Sequence, residues 1–341
     1  MDICIAVDAM GGDFAPSHVV RGAVDALRES GGRFSLVLVG RVDQVQQELE
    51  KLGQKGESVH RGEGGLSIVN ATEIIEMHDQ PNAALKTKKD SSIAVGLNLH
   101  RSGKAQAFVS AGNTGAVMSA STLILGRIPG VGRPTIGALI PTEKTPCLLV
   151  DAGANVDCRP RHLFEFATMG SIYVETMLGN KTPRIGLLSI GEEDTKGNEA
   201  SLEAFALIKK SKLNFAGNVE GRDVLKGVVD VVVCDGFVGN ILLKFGESIP
   251  GFFKAKFTAF AKRGIINAGI VFLARGGMRT VMRELDYQEH GGVPLLGVNG
   301  VSIIGHGGST PKAIKNMIYR AEEMVQRKVN ARIATATQSF A

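Results

Sequence analysis

"VSAGNTGAVMSA", Val109–Ala120, is the stretch on which the fold turns. An apolar run ends here, Gly112 and Gly115 bracket an Asn-Thr pair, and a small-residue segment with helical potential follows. A strand that passes through such a loop into a helix offers backbone N–H groups to an anion. The chain has no GxxxxGK(S/T) phosphate loop and no GxGxxG dinucleotide turn, so the anion implied is not an ordinary nucleotide.

The same succession of apolar run and glycine or small polar loop recurs in "ICIAVDAMGGD", "AFVSAGNTG", "CLLVDAGAN", "RIGLLSIGEEDTKGN", "VVDVVVCDGFVGN" and "VSIIGHGGS". Continuous apolar runs of this length suit strands covered by helices on both faces, which predicts an α/β fold with a mostly parallel sheet. Gly112, Gly153, Gly191 and Gly236 are 41, 38 and 45 residues apart, enough for strand-helix-strand units. The apolar spacing in Arg161–Leu178 predicts one of the covering helices. In a parallel sheet the carboxyl ends of the strands share an edge, so the six loops are expected to converge on one site. Residues 1–330 read as a single domain, with 246–285 as an inserted helical projection and 331–341 as a C-terminal tail.

Composition narrows the classes. With 44% hydrophobic residues in 341, the chain can bury a large core, and its 43 glycines sit beside apolar runs as turns do. The four cysteines form no CxxC pair; Cys4, Cys147 and Cys234 fall in apolar runs and read as buried, reduced thiols. The opening residues go straight into a strand-like run, which predicts a cytoplasmic enzyme or binding protein. A net charge of +5 favours an acidic partner or an anionic membrane surface. Aromatics at 5%, with no recognition-helix, zinc-finger or RNP signature, argue against nucleic acid. No HExxH or Cys/His cluster is present, so neither metal nor cofactor is expected.

From Gly246 to Leu285 the basic residues Lys254, Lys256, Lys262, Arg263, Arg275, Arg279 and Arg283 stand against Glu247 and Glu284. Phe253, Phe257 and Phe260 share one helical face, and the apolar run Gly264–Ala274 is shorter than the ~20 residues a bilayer span needs. Two readings stay open: a helical pair packed on the core or on a second subunit, and a pair lying on a membrane or an acidic partner.

Taken in order, "AVDAMGGDFAP", "KKDSSI", "FVSAGNTGAVM", "LLVDAGANVDCRP", "GEEDTKGNE", "NVEGRDV", "CDGFVGNILLK", "GGVPLLGV" and "IIGHGGS" resemble the pattern of the bacterial PlsX-type phosphate acyltransferases, from Ile3 to Ala321. The resemblance implies transfer of a long fatty acyl chain from acyl carrier protein to inorganic phosphate, giving acyl phosphate for phospholipid synthesis. It also implies an open three-layer α/β/α fold related to phosphotransacetylases and isocitrate-dehydrogenase-like enzymes. Further implications are a homodimer, peripheral attachment to an anionic membrane, and a membrane glycerol-3-phosphate acyltransferase as user of the product.

Phosphate is nucleophilic at neutral pH and a thiolate leaves readily, so this transfer needs donors and alignment more than a covalent intermediate. The backbone around Gly11, Gly12, Gly112 and Gly115, with Ser110, Asn113 and Thr114, is the expected phosphate cradle. Lys196 and Asn240 match family positions linked to catalysis; on the residues alone, Lys196 reads as a solvated loop lysine and Asn240 equally as a helix N-cap. Asp8, Asp13, Asp151 and Asp235 close strands and read either as groups that orient lysines or loop amides or as structural turn and cap residues, while Asn155, His306 and Ser309 complete the expected substrate-binding set. Lys254, Lys256, Phe253, Phe257, Lys262, Arg263, Arg275 and Arg279 are the expected carrier-protein or membrane contacts. Cys158, in a polar loop, leaves an acyl-cysteine route open. The rival functions are a phosphotransacetylase acting on acyl-coenzyme A and a membrane-associated phosphate or acyl binder without turnover.

Overall fold

The computed structural model describes residues 3–53, 65–284 and 291–338. The first half runs β1 (Ile3–Asp8), α1 (Ser17–Ser30), β2 (Phe34–Gly40), α2 (Val42–Lys51), β3 (Leu66–Asn70), α3 (Pro81–Thr87), α4 (Ser92–Arg101), β4 (Ala107–Ser110) and α5 (Thr114–Ile124). It continues through β5 (Thr135–Ile140), β6 (Cys147–Val150), α6 (Pro160–Tyr173) with a π-helical extension Val174–Leu178, β7 (Ile185–Leu188), α7 (Glu199–Lys209), β8 (Phe215–Val219) and α8 (Gly221–Val224). The last elements are β9 (Val231–Val233), α9 (Gly236–Ala261), α10 (Ile265–Glu284), β10 (Val293–Leu296), β11 (Val301–Ile304), α11 (Pro311–Gln326) and α12 (Val329–Thr337).

Because successive strand residues point to opposite faces, a strand that is apolar throughout feeds two cores. In β6, Leu148 and Val150 enter a core shared with α1, α2, α6, α7, α11 and α12. Cys147 and Leu149 enter the other, shared with α3, α4, α5 and Val224 of α8. The result is the expected three-layer α/β/α arrangement, with a single sheet in the order β3-β2-β1-β4-β11-β10-β5-β6-β9-β7-β8.

Pairing within each half is parallel, but β10 is antiparallel to both β11 and β5, and β5 is antiparallel to β6. Strand direction therefore reverses between β11 and β6. The loops after β1, β4 and β11 leave one edge of the sheet, and those after β6, β7 and β9 leave the other. This corrects the expectation that all six loops converge: carboxyl ends share an edge only while strand direction persists across the sheet.

Two boundaries also change. Residues 331–337, read as a tail, belong to α12, whose Val329, Ile333 and Thr337 are buried against the core. The projection read as starting at Gly246 is the distal part of α9, which begins at Gly236 on the sheet and pairs with α10 beyond it. Arg161–Leu178 is helical throughout, as its periodicity predicts. Among the described residues no helix is long and apolar enough to cross a membrane.

Candidate active site

At the first edge, β1 ends on the buried Asp8 and β4 on the buried Ser110, whose Oγ donates to Asp8 Oδ2 at 2.6 Å. The loops are tied by Met10 N–H to Asp8 Oδ1 at 3.1 Å, Gly112 N–H to Ser110 Oγ at 3.0 Å, and Asp13 N–H to Gly307 O and Gly305 N–H to Ser110 O, both at 2.8 Å. Burial raises the Asp8 carboxyl above its ordinary range, against hydrogen bonds from Ser110, Ser92, Met10 and Gly11 that favour the charged form. A side chain on Gly11 would put its Cβ 2.7 Å from Gly112 N, and one on Gly12 would lie 3.1 Å from Gly307 O.

Asn113 caps α5 by accepting from Ala116 N–H at 3.0 Å, and its Nδ2 donates to the carbonyls of Glu76, Met77 and Asp79 at 3.2, 3.1 and 3.1 Å. Its polar atoms are thus committed to holding the loop. The N–H groups of Thr114 and Gly115, in the first turn of α5, have no hydrogen-bond partner among the described residues. His306 Nδ1 accepts from Gly308 N–H at 3.1 Å and Ser309 Oγ donates to His306 O at 2.6 Å, so this turn also braces itself.

At the second edge, Asp151 is fully buried and has five donors. Ile136, Gly153 and Ala154 N–H reach Oδ1 at 3.1, 3.3 and 3.0 Å, and Asn155 N–H and Nδ2 reach Oδ2 at 2.6 and 2.8 Å. Burial raises this carboxyl too, opposed by the hydrogen bonds from Ala154, Asn155 and Ile136. Asn155 Nδ2 also donates to Pro134 O at 2.8 Å, and its carbonyl accepts Gly236 N–H at 2.7 Å. The aspartate thereby fixes the loop against which α9 starts.

That start is tight. A Cβ at Gly239 would lie 1.9 Å from Asp151 O, so only glycine lets α9 approach this closely. Asp235 caps α9 by accepting from Val238 N–H at 2.8 Å, which takes the N-cap role that Asn240 could have filled. Asn240 instead lies in the second turn, exposed, beside Gly153, with its amide unbonded among the described residues. Lys196 is exposed on the loop after β7; its N–H donates to Glu193 O at 3.0 Å and its Nζ has no partner among the described residues. Gly197, next to Lys196 in the chain, and Val238, two residues before Asn240, line a cavity of about 570 Å³ together with Cys158, Leu187, Ser189, Cys234 and Asp235. Burial and the charges of Asp151 and Asp235 push the Cys158 thiol up to about 12, which removes the thiolate an acyl-cysteine route needs.

The structure therefore gathers Asp8, Gly11, Gly12, Ser110, Gly112, Asn113, Thr114, Gly115, His306 and Ser309 at one edge, and Asn155, Lys196 and Asn240 at the other. A groove of about 420 Å³ links α5 to Asn155, lined by Asn82, Met118, Thr122, Arg127, Arg133 and Pro134 among others. Arg127 donates to Gly132 O, and Arg133 Nη1 donates to Asp157 O at 2.9 Å. Sequence reasoning missed both arginines because each is a lone loop cation in no motif. Lys254, Lys256, Lys262, Arg263, Arg275 and Phe253 are exposed and Phe257 half-exposed on the α9–α10 pair; the side chain of Arg279 lies outside the described residues, as does that of Arg283.

The model of the family described as fatty acid synthesis protein matches residues 3–332. The chain is 48% identical over 338 residues to the phosphate acyltransferase of Pelotomaculum thermopropionicum, covering 98% of this chain and 95% of that one. It is 47% identical over 341 residues to the phosphate acyltransferase of Chlorobaculum parvum, covering 97% and 98%. A phosphotransacetylase from Streptococcus pyogenes has a similar fold, with a TM-score of 0.63 at 18% identity over 95% of this chain and 94% of that one.

Proposed function

The chain belongs to the fatty acid synthesis protein family, and from that premise we propose that it is a phosphate acyltransferase moving a long fatty acyl group from acyl carrier protein to inorganic phosphate, for phospholipid synthesis. The observation that carries the chemistry is a pair of side chains without hydrogen-bond partners among the described residues, Lys196 on the loop after β7 and Asn240 on α9, two elements that line one cavity whose thiols, Cys158 and Cys234, are both held protonated by burial. Such a site supplies donors, not a nucleophile, and so suits direct attack by phosphate.

In the proposed reaction, phosphate oxygen attacks the thioester carbonyl carbon, the C=O π pair moves onto oxygen to give a tetrahedral oxyanion, and as that pair returns the C–S bond breaks and the thiolate leaves to take a proton from solvent. Lys196 and Asn240 stabilise the oxyanion; a single such donor contributes roughly a hundredfold or more in rate. Phosphate is held by the Thr114 and Gly115 N–H groups within the frame of Asp8, Gly11, Gly12, Ser110, Gly112 and Asn113, with His306 and Ser309 bracing the neighbouring turn. Because the two sets of donors leave opposite edges, phosphate is proposed to pass from one to the other by the groove along α5, where Arg127 and Arg133 favour an anion.

The α9–α10 pair carries the remaining proposals. The exposed Phe252, Phe253, Ile265 and Ile266, with Lys254, Lys256, Lys262, Arg263, Arg275 and Arg279, make the distal end a contact for an anionic membrane or the acidic carrier protein. Nearer the sheet, exposed Phe237, Ile241 and Phe245 form the face proposed to meet a second copy of the chain. The product is an acyl phosphate for a membrane glycerol-3-phosphate acyltransferase.

Trapping acyl phosphate with hydroxylamine tests the reading. Phosphate-dependent hydroxamate is expected from palmitoyl-carrier protein, with acyl-coenzyme A much poorer. Preference for short acyl-coenzyme A would make the protein a phosphotransacetylase, and no product from any donor would leave only binding.

A further inference from the structure

Beyond the donors of the reaction, α9 carries a second feature that bears on its substrate. Two residues after Asn240 it begins to roof an apolar groove of about 250 Å³. Leu139 and Ile140 at the end of β5 and Val224 of α8 form the floor, and Leu242, Leu243 and Ile249 form the roof. Ile140 and Val224 are buried, so the floor is continuous with the core. The charged residue on the rim, Glu247, is turned to Lys244, 2.7 Å away.

The sequence of this part of α9, "GESIP", opposes a regular helix. Glycine is disfavoured in a helix interior, and Pro250 has no N–H to give to the Gly246 carbonyl four residues earlier. Packing does not explain the glycine: a Cβ at Gly246 would meet nothing within 4 Å, in contrast to Gly239. Gly246 lines the groove, between Leu243 and Ile249 of the roof.

We propose that this groove holds the hydrocarbon chain of the acyl thioester, laid along α9 with its carbonyl at the Asn240 end, and that Gly246 keeps it open. The eleven residues from Asn240 to Pro250 span about 15 Å of helix, so the groove distinguishes a long acyl chain from a short one. An apolar channel without unpaired polar groups suits methylenes, and its discrimination grows with each one buried. The inference rests on the phosphate acyltransferase reading.

The test compares the parent with Gly246→Leu, assayed by hydroxylamine trapping with palmitoyl- and butanoyl-carrier protein as donors. Leucine favours the helix, so the variant is expected to fold. The expected result is a fall of roughly tenfold or more in kcat/KM for the palmitoyl donor, with the butanoyl donor within about twofold of the parent. Leu243→Ala, which widens the groove, should move the ratio the opposite way. Equal losses on both donors, or an unchanged ratio in both variants, would overturn the proposal. So would an unchanged ratio accompanied by a shift in sedimentation, which would make the groove a subunit contact. Failure of the parent to use any acyl donor with phosphate would instead reject the underlying enzymatic reading.

Discussion

The two edges of the sheet begin alike and finish differently. At each, a strand ends on a buried aspartate whose carboxyl is raised by desolvation and held by hydrogen bonds from the glycine loop that follows. Around Asp8 the side chains close on one another: Ser110 binds the aspartate, Asn113 binds three carbonyls, and Ser309 binds its own turn. What that edge offers a ligand is backbone N–H. Around Asp151 the loop anchors a helix; Asn240 stands beside it and Lys196 beside Gly191 after β7, both with polar atoms unbonded among the described residues. The difference assigns a fixed anion cradle to one edge and side-chain chemistry to the other.

Asp151→Ala breaks this comparison most severely. It leaves Ile136, Gly153, Ala154 and Asn155 donors buried around a void, and should cost about 3 kcal/mol of stability together with most activity. Urea unfolding with a parallel activity assay checks both. Ser110→Ala acts on the other edge and should cost about 1–2 kcal/mol. It also has a pH signature. The folded Asp8 carboxyl is raised above its ordinary 3.8, so its favourable contribution is present below that value and lost as pH rises through the folded one. Removing the Ser110 hydrogen bond raises the folded value further, so the penalty should be small in acid and grow with pH. A penalty independent of pH, in melting curves across the acid range, would contradict the raised Asp8 carboxyl.

The smallest effect on stability belongs to the projection. Reversing Lys254, Lys256 and Arg275 to glutamate should change stability by no more than about 0.5 kcal/mol, since all are exposed. Flotation with anionic vesicles should nevertheless fall, and the fall should be greater at low ionic strength. Unchanged flotation would remove the electrostatic part of the membrane contact and leave both edges of the sheet unaffected.

Most strands and the loops after them are legible in the sequence because each apolar run ends where a glycine loop begins, as at Val109 and Val150. The reversal of direction is not. "TIGALI" of β5 and "VPLL" of β10 are apolar runs like the others, and their antiparallel pairing, Ile136 with Leu295, joins residues far apart in the chain. No local residue encodes it. The same limit hides the groove arginines and the true duty of Asn113, whose carbonyl partners are contributed by residues 76–79. Gly239 was visible only as one glycine among many, although its approach to Asp151 decides where Asn240 stands.

The central claim is that one edge holds phosphate and the other acts on the thioester carbonyl, and steady-state kinetics with phosphate varied tests it most directly. Thr114→Pro removes one N–H at a position where helices tolerate proline. It should raise KM for phosphate by about tenfold while leaving kcat near the parent value. Lys196→Ala and Asn240→Ala should instead lower kcat by roughly a hundredfold or more in folded protein. Thr114→Pro kinetics indistinguishable from the parent, together with near-normal turnover in the other two variants, would contradict the account.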